Sequence, residues 1–241
     1  MGKNDDLKVI SLDASTVRIP VEPLGAVTED ELNKRGIVMD MGHTAMTAED
    51  CARAVSKGAK NVTHLFDAMG CHKVPTGSLA IQETSSLAAL SIPGIYYELI
   101  CDSRGIHVKP HAARLALRCA GEDYIILVSD STAVATYHDP SKYPPEDWRS
   151  AEDLNCNDLG QLSGSRLRLS DSCKNFLKFT DCGVRVAFKC GSTNPAKLLK
   201  LDHKVGSILP GRDANLVVVD EQFNVQDVYF HGELVQEKEV R

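Results

Sequence analysis

The chain has 241 residues, 43% of them hydrophobic, and a formal net charge of −6 at pH 7. That length supports a sizeable core, and the acidic balance argues against a nucleic-acid polyanion as partner. No apolar run approaches the ~18 residues of a membrane helix, the opening Met1-Gly2-Lys3-Asn4-Asp5-Asp6 has no signal-peptide core and is a poor myristoylation signal, and the eight cysteines form no C-x-x-C pair. The expectation is a cytoplasmic chain with reduced thiols.

In chain order, Leu7–Leu12 is a strand, and residues 13–27 are irregular, with Pro20 and Pro23. Thr28 and Glu31 make a capping box that opens a helix, which ends near Arg35 with Gly36 as its stop. Residues 36–42 form an apolar strand, Thr47–Val55 a helix, and Ala59–Thr63 a second strand. A crossover helix makes such strands parallel and usually adjacent. Residues 78–90 read as a helix, 95–100 as a strand, 110–118 as a helix with Pro in its first turn, and 124–129 as a fully apolar strand of the doubly covered kind. This alternation predicts an α/β protein. Residues 136–160, with three prolines and the only tryptophan, read as a long surface loop able to carry a small hairpin. Helices follow at 170–180 and 194–199. After Gly206 come short strands at 207–209, 214–219, 225–230 and 233–236, with a tight turn at Pro210–Asp213.

The chemistry sits at strand ends. His43 and His64 close two consecutive parallel strands. Neighbouring strands lie about 4.8 Å apart, so the two imidazoles should meet at the carboxyl end of the sheet, where barrel active sites are built. Asp102 and His107 follow the strand at 95–100, and Asp130 follows the strand at 124–129. Two histidines with carboxylates are the ligand inventory of a hydrolytic zinc or iron site, and a free Asp beside such a site can act as general base. The plainer reading is that a strand-end His is a turn residue and a strand-end Asp a helix cap. His72, His111, His138, His203 and His231 lack this placement and read as structural or surface residues, and no cysteine sits beside a base in the sequence.

Gly42-His43-Thr44, Thr63-His64-Leu65-Phe66-Asp67-Ala68-Met69, Gly105-Ile106-His107-Val108, Leu127-Val128-Ser129-Asp130, Leu162-Ser163-Gly164-Ser165 and Asn194-Pro195-Ala196 succeed one another as in the N-acetylglucosamine-6-phosphate deacetylase family. The ending Gly206–Val217 resembles the closing β signature of the wider amidohydrolase superfamily. The resemblance begins near residue 36 and covers the family's C-terminal part. It implies an incomplete (β/α) TIM-like barrel over residues 1–200 and a small C-terminal β unit, a partial β-sandwich, over 201–241. It implies hydrolysis of the acetamide of N-acetylglucosamine-6-phosphate, with a divalent zinc or iron ion on His43 and His64. Asp130 matches the catalytic aspartate, and His107 the histidine that polarises the scissile acetyl group. Asp67, Ala68, Lys73, His107 and Leu162 match substrate-binding positions. In the family an Arg near the Lys73 position comes from the neighbouring subunit, which implies a homodimer or a complementing chain.

The sequence departs from the family pattern in places. The family's metal-binding Glu lies in a Leu-Glu-Gly-Pro segment, whereas Val21-Glu22-Pro23-Leu24-Gly25 has another order and lies too close to His43. A third protein ligand is therefore expected to be missing, together with the earlier barrel strands. Asp67 stands where the family has Asn, and Lys73 near an Arg. Two alternatives stay open: a catalytically impaired paralogue or half of a split enzyme, and a hydrolase of a non-phosphorylated substrate.

Overall fold

The structure is a computed structural model that describes residues 9–12, 29–70, 84–132 and 138–235. The expectations for residues 13–27, for the Thr28 cap, for Lys73 and for the first half of the 78–90 helix fall outside these residues. The chain forms two units: Met1–Ile100 with His107–Ile126, and Cys101–Ile106 with Leu127–Arg241.

The first unit is built on a sheet whose strands run in chain order: β1 (Val9–Leu12), β2 (Val38–Met41), β3 (Ala59–Val62), β4 (Tyr96–Ile100) and the start of β5 (Ile125–Val128). The pairs β1–β2, β2–β3 and β3–β4 are parallel. Helices α1 (Glu29–Lys34), α2 (Ala48–Ser56), α3 (Ser85–Leu90) and α4 (Pro110–Ala120) connect them. The expected α/β class is therefore what the structure has. Among the described residues the sheet does not close into a barrel.

Local chemistry sets the helix limits. Thr47 caps α2, its side chain accepting from the Asp50 amide while the Asp50 carboxylate accepts from the Thr47 amide, a reciprocal capping box. Pro110 opens α4, where its missing N–H costs nothing, and Gly121 at φ +77° ends it. All four residues of β2 are buried, as a strand covered on both faces requires. Met39, Met41, Val62, Leu65, Tyr97, Leu99, Ile100 and Ile125 form the core. The Tyr97 hydroxyl donates to the Ala89 carbonyl at 3.0 Å, which ties β4 to α3.

The second unit holds an antiparallel hairpin of β6 (Leu154–Cys156) and β7 (Leu162–Ser165). Next come α5 (Leu169–Thr180), α6 (Val184–Phe188), a π turn at Lys189–Thr193 and α7 (Asn194–Leu198). A three-stranded antiparallel sheet follows, from β8 (Leu216–Val219), β9 (Val225–Phe230) and β10 (Glu233–Leu234). Two expectations need correction, and one helix lies where no element was expected. The strand at 207–209 does not form: the Arg212 guanidinium bonds the Val205 carbonyl and the Ser207 hydroxyl, closing the segment as a turn, and Ile208 is 85% exposed. Helix α6 was not expected, because Val184-Arg185-Val186 has the β-branched look of a strand. Residues 138–160 are not simply surface loop, since His138, Ala151, Leu154, Asn155 and Cys156 are buried. That loop is ordered by two single 3₁₀ turns, Pro140–Lys142 and Trp148–Ser150, capped by the Asp139 and Asp147 carboxylates.

No helix among the described residues is long and apolar enough to cross a membrane. Val217, Val218, Phe230 and Leu234 on β8–β10 are 43–61% exposed. An exposed apolar sheet with open edges favours association. The isolated chain is therefore expected to sediment as oligomers or aggregates, and lysine at Val217 and Phe230 to shift it toward monomer. A monodisperse monomer at high concentration would contradict this.

Candidate active site

The pairing of β2 with β3 explains why two distant histidines meet. Met41 pairs with Val62 in the parallel register, and each histidine lies two residues beyond its member of that pair. His43 and His64 therefore leave the sheet at the same height, with ring centroids 4.5 Å apart and ring planes at 86°. Both take left-handed backbone, φ +47° and +27°, which non-glycine residues adopt at a cost and which clusters at functional sites.

The turn after β3 orients the second imidazole. The Asp67 amide donates to the His64 carbonyl at 2.9 Å, while His64 Nδ1 lies 3.1 Å from the Asp67 carbonyl oxygen. A carbonyl only accepts, so Nδ1 carries the proton and Nε2 keeps its lone pair. A backbone acceptor on one ring nitrogen is the usual way to present the other to a metal. The donor chemistry thus fits a divalent ion on His43 and His64. His107 is 4% exposed and belongs to the same unit, with a ring nitrogen within 4.8 Å of an Asp67 carboxylate oxygen. Ala68, beside Asp67, is exposed and at φ +49°.

In the second unit the Asp102 carboxylate accepts from the Arg104 and Ile106 amides at 3.0 and 2.8 Å, folding the turn that precedes His107 in the chain. Asp130 follows β5 with φ +48°. Its carbonyl accepts from the Ser165 amide at 2.8 Å, and the Thr132 amide donates to the Ser165 carbonyl at 3.1 Å, so β7 braces the aspartate's backbone. A Cβ at Gly164 would meet the Asp130 carbonyl oxygen at 2.7 Å. The glycine of Leu162-Ser163-Gly164-Ser165 is thus required for that approach. Leu162 opens β7, half-buried, and pairs with Cys156. Lys73 lies outside the described residues.

Two clusters escaped the sequence reading. Cys156 does sit beside a base: its Sγ is 3.0 Å from His138 Nδ1, while His138 Nε2 donates to the Arg149 carbonyl at 2.7 Å. The partners are 18 residues apart, and only the fold joins them. The second cluster is polar and lies inside the sheet. Asn61 Nδ2 donates to Asp40 Oδ2 at 3.1 Å and to Glu98 Oε1 at 2.7 Å, and the Thr63 hydroxyl donates to Glu98 Oε2 at 3.0 Å. Burial, and next the charge of Glu98, push the Asp40 carboxyl up to about 7, against the donors Thr63, Asn61 and the Met41 amide. One signal for this cluster was available: Asp40 and Glu98 are the charged residues of otherwise apolar or aromatic strands, and Asn61 is the buried polar residue of the strand between them. Elsewhere burial raises the thiols of Cys101 and Cys173, the latter to about 12, so neither is a ready nucleophile.

The sequence pattern of the amidohydrolase family matches residues 25–235. The N-acetylglucosamine-6-phosphate deacetylase of Rattus norvegicus is 33% identical over 213 residues, which are 86% of this chain and 50% of that protein. The crystal structure of the N-acetylglucosamine-6-phosphate deacetylase of Thermotoga maritima superposes with a TM-score of 0.70 at 28% identity, over 95% of this chain and 59% of that one. The Pasteurella multocida deacetylase gives 0.71 at 26% identity, over 95% and 56%. The chain spans about half the length of the curated relatives it matches.

Proposed function

The chain belongs to the amidohydrolase family, and from that premise we propose that it hydrolyses the acetamide of an N-acetylated amino sugar phosphate, converting N-acetylglucosamine-6-phosphate to glucosamine-6-phosphate and acetate. The observation that carries this reading is the His43–His64 pair, two imidazoles 4.5 Å apart at adjacent strand ends, one with its Nε2 freed by the Asp67 carbonyl. His43 and His64 would hold a divalent zinc or iron ion, which supplies Lewis acidity toward the acetamide carbonyl and toward water.

The protein's own groups do the rest. Asp130 takes a proton from the attacking water and delivers it to the leaving amine nitrogen, so the products are acetate and a free amine. His107 donates to the carbonyl oxygen as it gains charge. Asp67, Ala68, Lys73 and Leu162 line the sugar phosphate. On this reading residues 1–200 are the hydrolase part and 201–241 the β unit. The working form is a cytoplasmic homodimer or a complex with a complementing chain that supplies a further metal carboxylate. The decisive experiment is acetate release from N-acetylglucosamine-6-phosphate by zinc-loaded protein, alone and mixed with the N-terminal half of a homologous deacetylase. No acetate under either condition would favour the impaired paralogue.

A specific residue favours the second reading, a non-phosphorylated substrate. Asp67 carries a charge where the family has an amide, and a phosphate about 4 Å away would be repelled by a few kcal/mol at intermediate dielectric. Asp67→Asn is therefore expected to lower KM for N-acetylglucosamine-6-phosphate about tenfold or more, leaving N-acetylglucosamine unchanged. If the two substrates respond alike, Asp67 does not face the phosphate.

A further inference from the structure

Beyond the histidine pair, the sheet carries a buried carboxylate, Asp40, beside a half-buried one, Glu98, and among the described residues no cation is seen to pair with either. Asp40 sits in the middle of β2, Asn61 in β3 and Glu98 in β4. Asp40 pairs with Asn61, and Asn61 with Tyr96, so Glu98 lies two residues further along the same face. Asp40 is 2% exposed and Asn61 0%. The groups that meet the carboxylates are neutral: both protons of the Asn61 amide and the Thr63 hydroxyl are spent on them. The charge that acts on Asp40 is the like charge of Glu98.

The donors then run out. Asp40 Oδ1 and Asn61 Oδ1 are buried and accept no hydrogen bond. Asn61 bridges the two carboxylates and carries no charge of its own. Its amide nitrogen lies between the carboxylates, and its buried oxygen is a further acceptor that an electropositive group would meet. A buried carboxylate beside a like charge needs a counter-charge, since desolvating it uncompensated costs several kcal/mol.

We infer that Asp40, Asn61 and Glu98 form an oxygen-only site for a hard cation of the Mg²⁺, Mn²⁺ or Ca²⁺ class, separate from the His43–His64 pair. Carboxylate and amide oxygens are the ligands these ions select, and the absence of nitrogen and sulfur donors disfavours zinc. Water completes the shell, because three side chains do not reach the six or more ligands such ions take. The proton that burial places on Asp40 is the substitute counter-charge, released when the ion enters. The two oxygens left over are the ones an ion would occupy.

The test is independent of any deacetylase activity. In the full chain carrying His43→Asn and His64→Asn, Mn²⁺ is titrated and the free-ion electron paramagnetic resonance signal followed. One equivalent should bind, with Kd at or below about 1 mM, the weak end of oxygen-ligand sites. Excess Ca²⁺ or Mg²⁺ should displace it. Asp40→Asn or Glu98→Gln in that background should weaken binding at least tenfold. An internal water alone satisfying the two oxygens would show as no Mn²⁺ binding, and would overturn the proposal, as would binding indifferent to both substitutions. If the carboxylate variants do not fold, the double-histidine protein decides: bound Mn²⁺ must broaden the amide resonances of residues 40, 61 and 98 first, and broadening centred elsewhere ends the proposal.

Discussion

In the protein mixed with the N-terminal half of a homologous deacetylase, replacing His64 with Ala is expected to take bound zinc from about one equivalent to near zero after dialysis, as read by elemental analysis. The remaining imidazole of His43 and one supplied carboxylate fall short of the three or four protein ligands that zinc sites use. Acetate release should fall by more than about a thousandfold, since the metal is what would lower the pKa of water toward neutrality. His43→Ala should act alike, because the two rings share one place at the ends of β2 and β3. His138→Ala is the control: its ring is held by Cys156 and the Arg149 carbonyl, and zinc content should stay unchanged. A His64 variant with normal zinc would remove the pair from the site.

Asp130→Asn is expected to lower kcat by at least about a hundredfold, the usual scale of general acid–base catalysis, with zinc content changed far less. The amide is nearly isosteric, and the backbone contacts that set the residue's position, Ser165 N–H to its carbonyl and the close passage of Gly164, do not involve the carboxylate. The variant therefore isolates proton transfer from folding. Near-normal turnover would mean that another group moves the proton. Gly164→Ala should lower activity by a different route: its Cβ would strike the Asp130 carbonyl oxygen, so it should disturb stability and turnover together.

These expectations separate what a sequence carries from what it does not. The strand–helix–strand order, the parallel sheet and the strand-end histidines were legible because they rest on local rules: apolar runs, capping residues and the obligatory crossover between parallel strands. The strand at 207–209 was misread for lack of a partner, since pairing is not a local property and Arg212 offered the backbone a turn instead. Helix α6 went unread, and its β-branched Val184 and Val186 give a weak local helical signal, while the packing that buries Val186 and Ala187 is not local.

The site divides in the same way. Sequence by itself determined that two histidines would close neighbouring strands, because equal strand lengths and a fixed crossover put equal offsets at equal heights. It also supplied the family, through motifs dense enough to be specific. Only the tertiary structure decided which nitrogen of His64 is bare, since that depends on a carbonyl three residues away turning back in a left-handed turn. Only it brought Cys156 to His138. Only it revealed that Asp40, Asn61 and Glu98, drawn from three strands 21 and 37 residues apart, share one face, with an oxygen of Asp40 and of Asn61 buried without a donor. Local propensity sets which residues can form a strand, but the register between strands decides which side chains confront one another, and that register is a property of the assembled sheet.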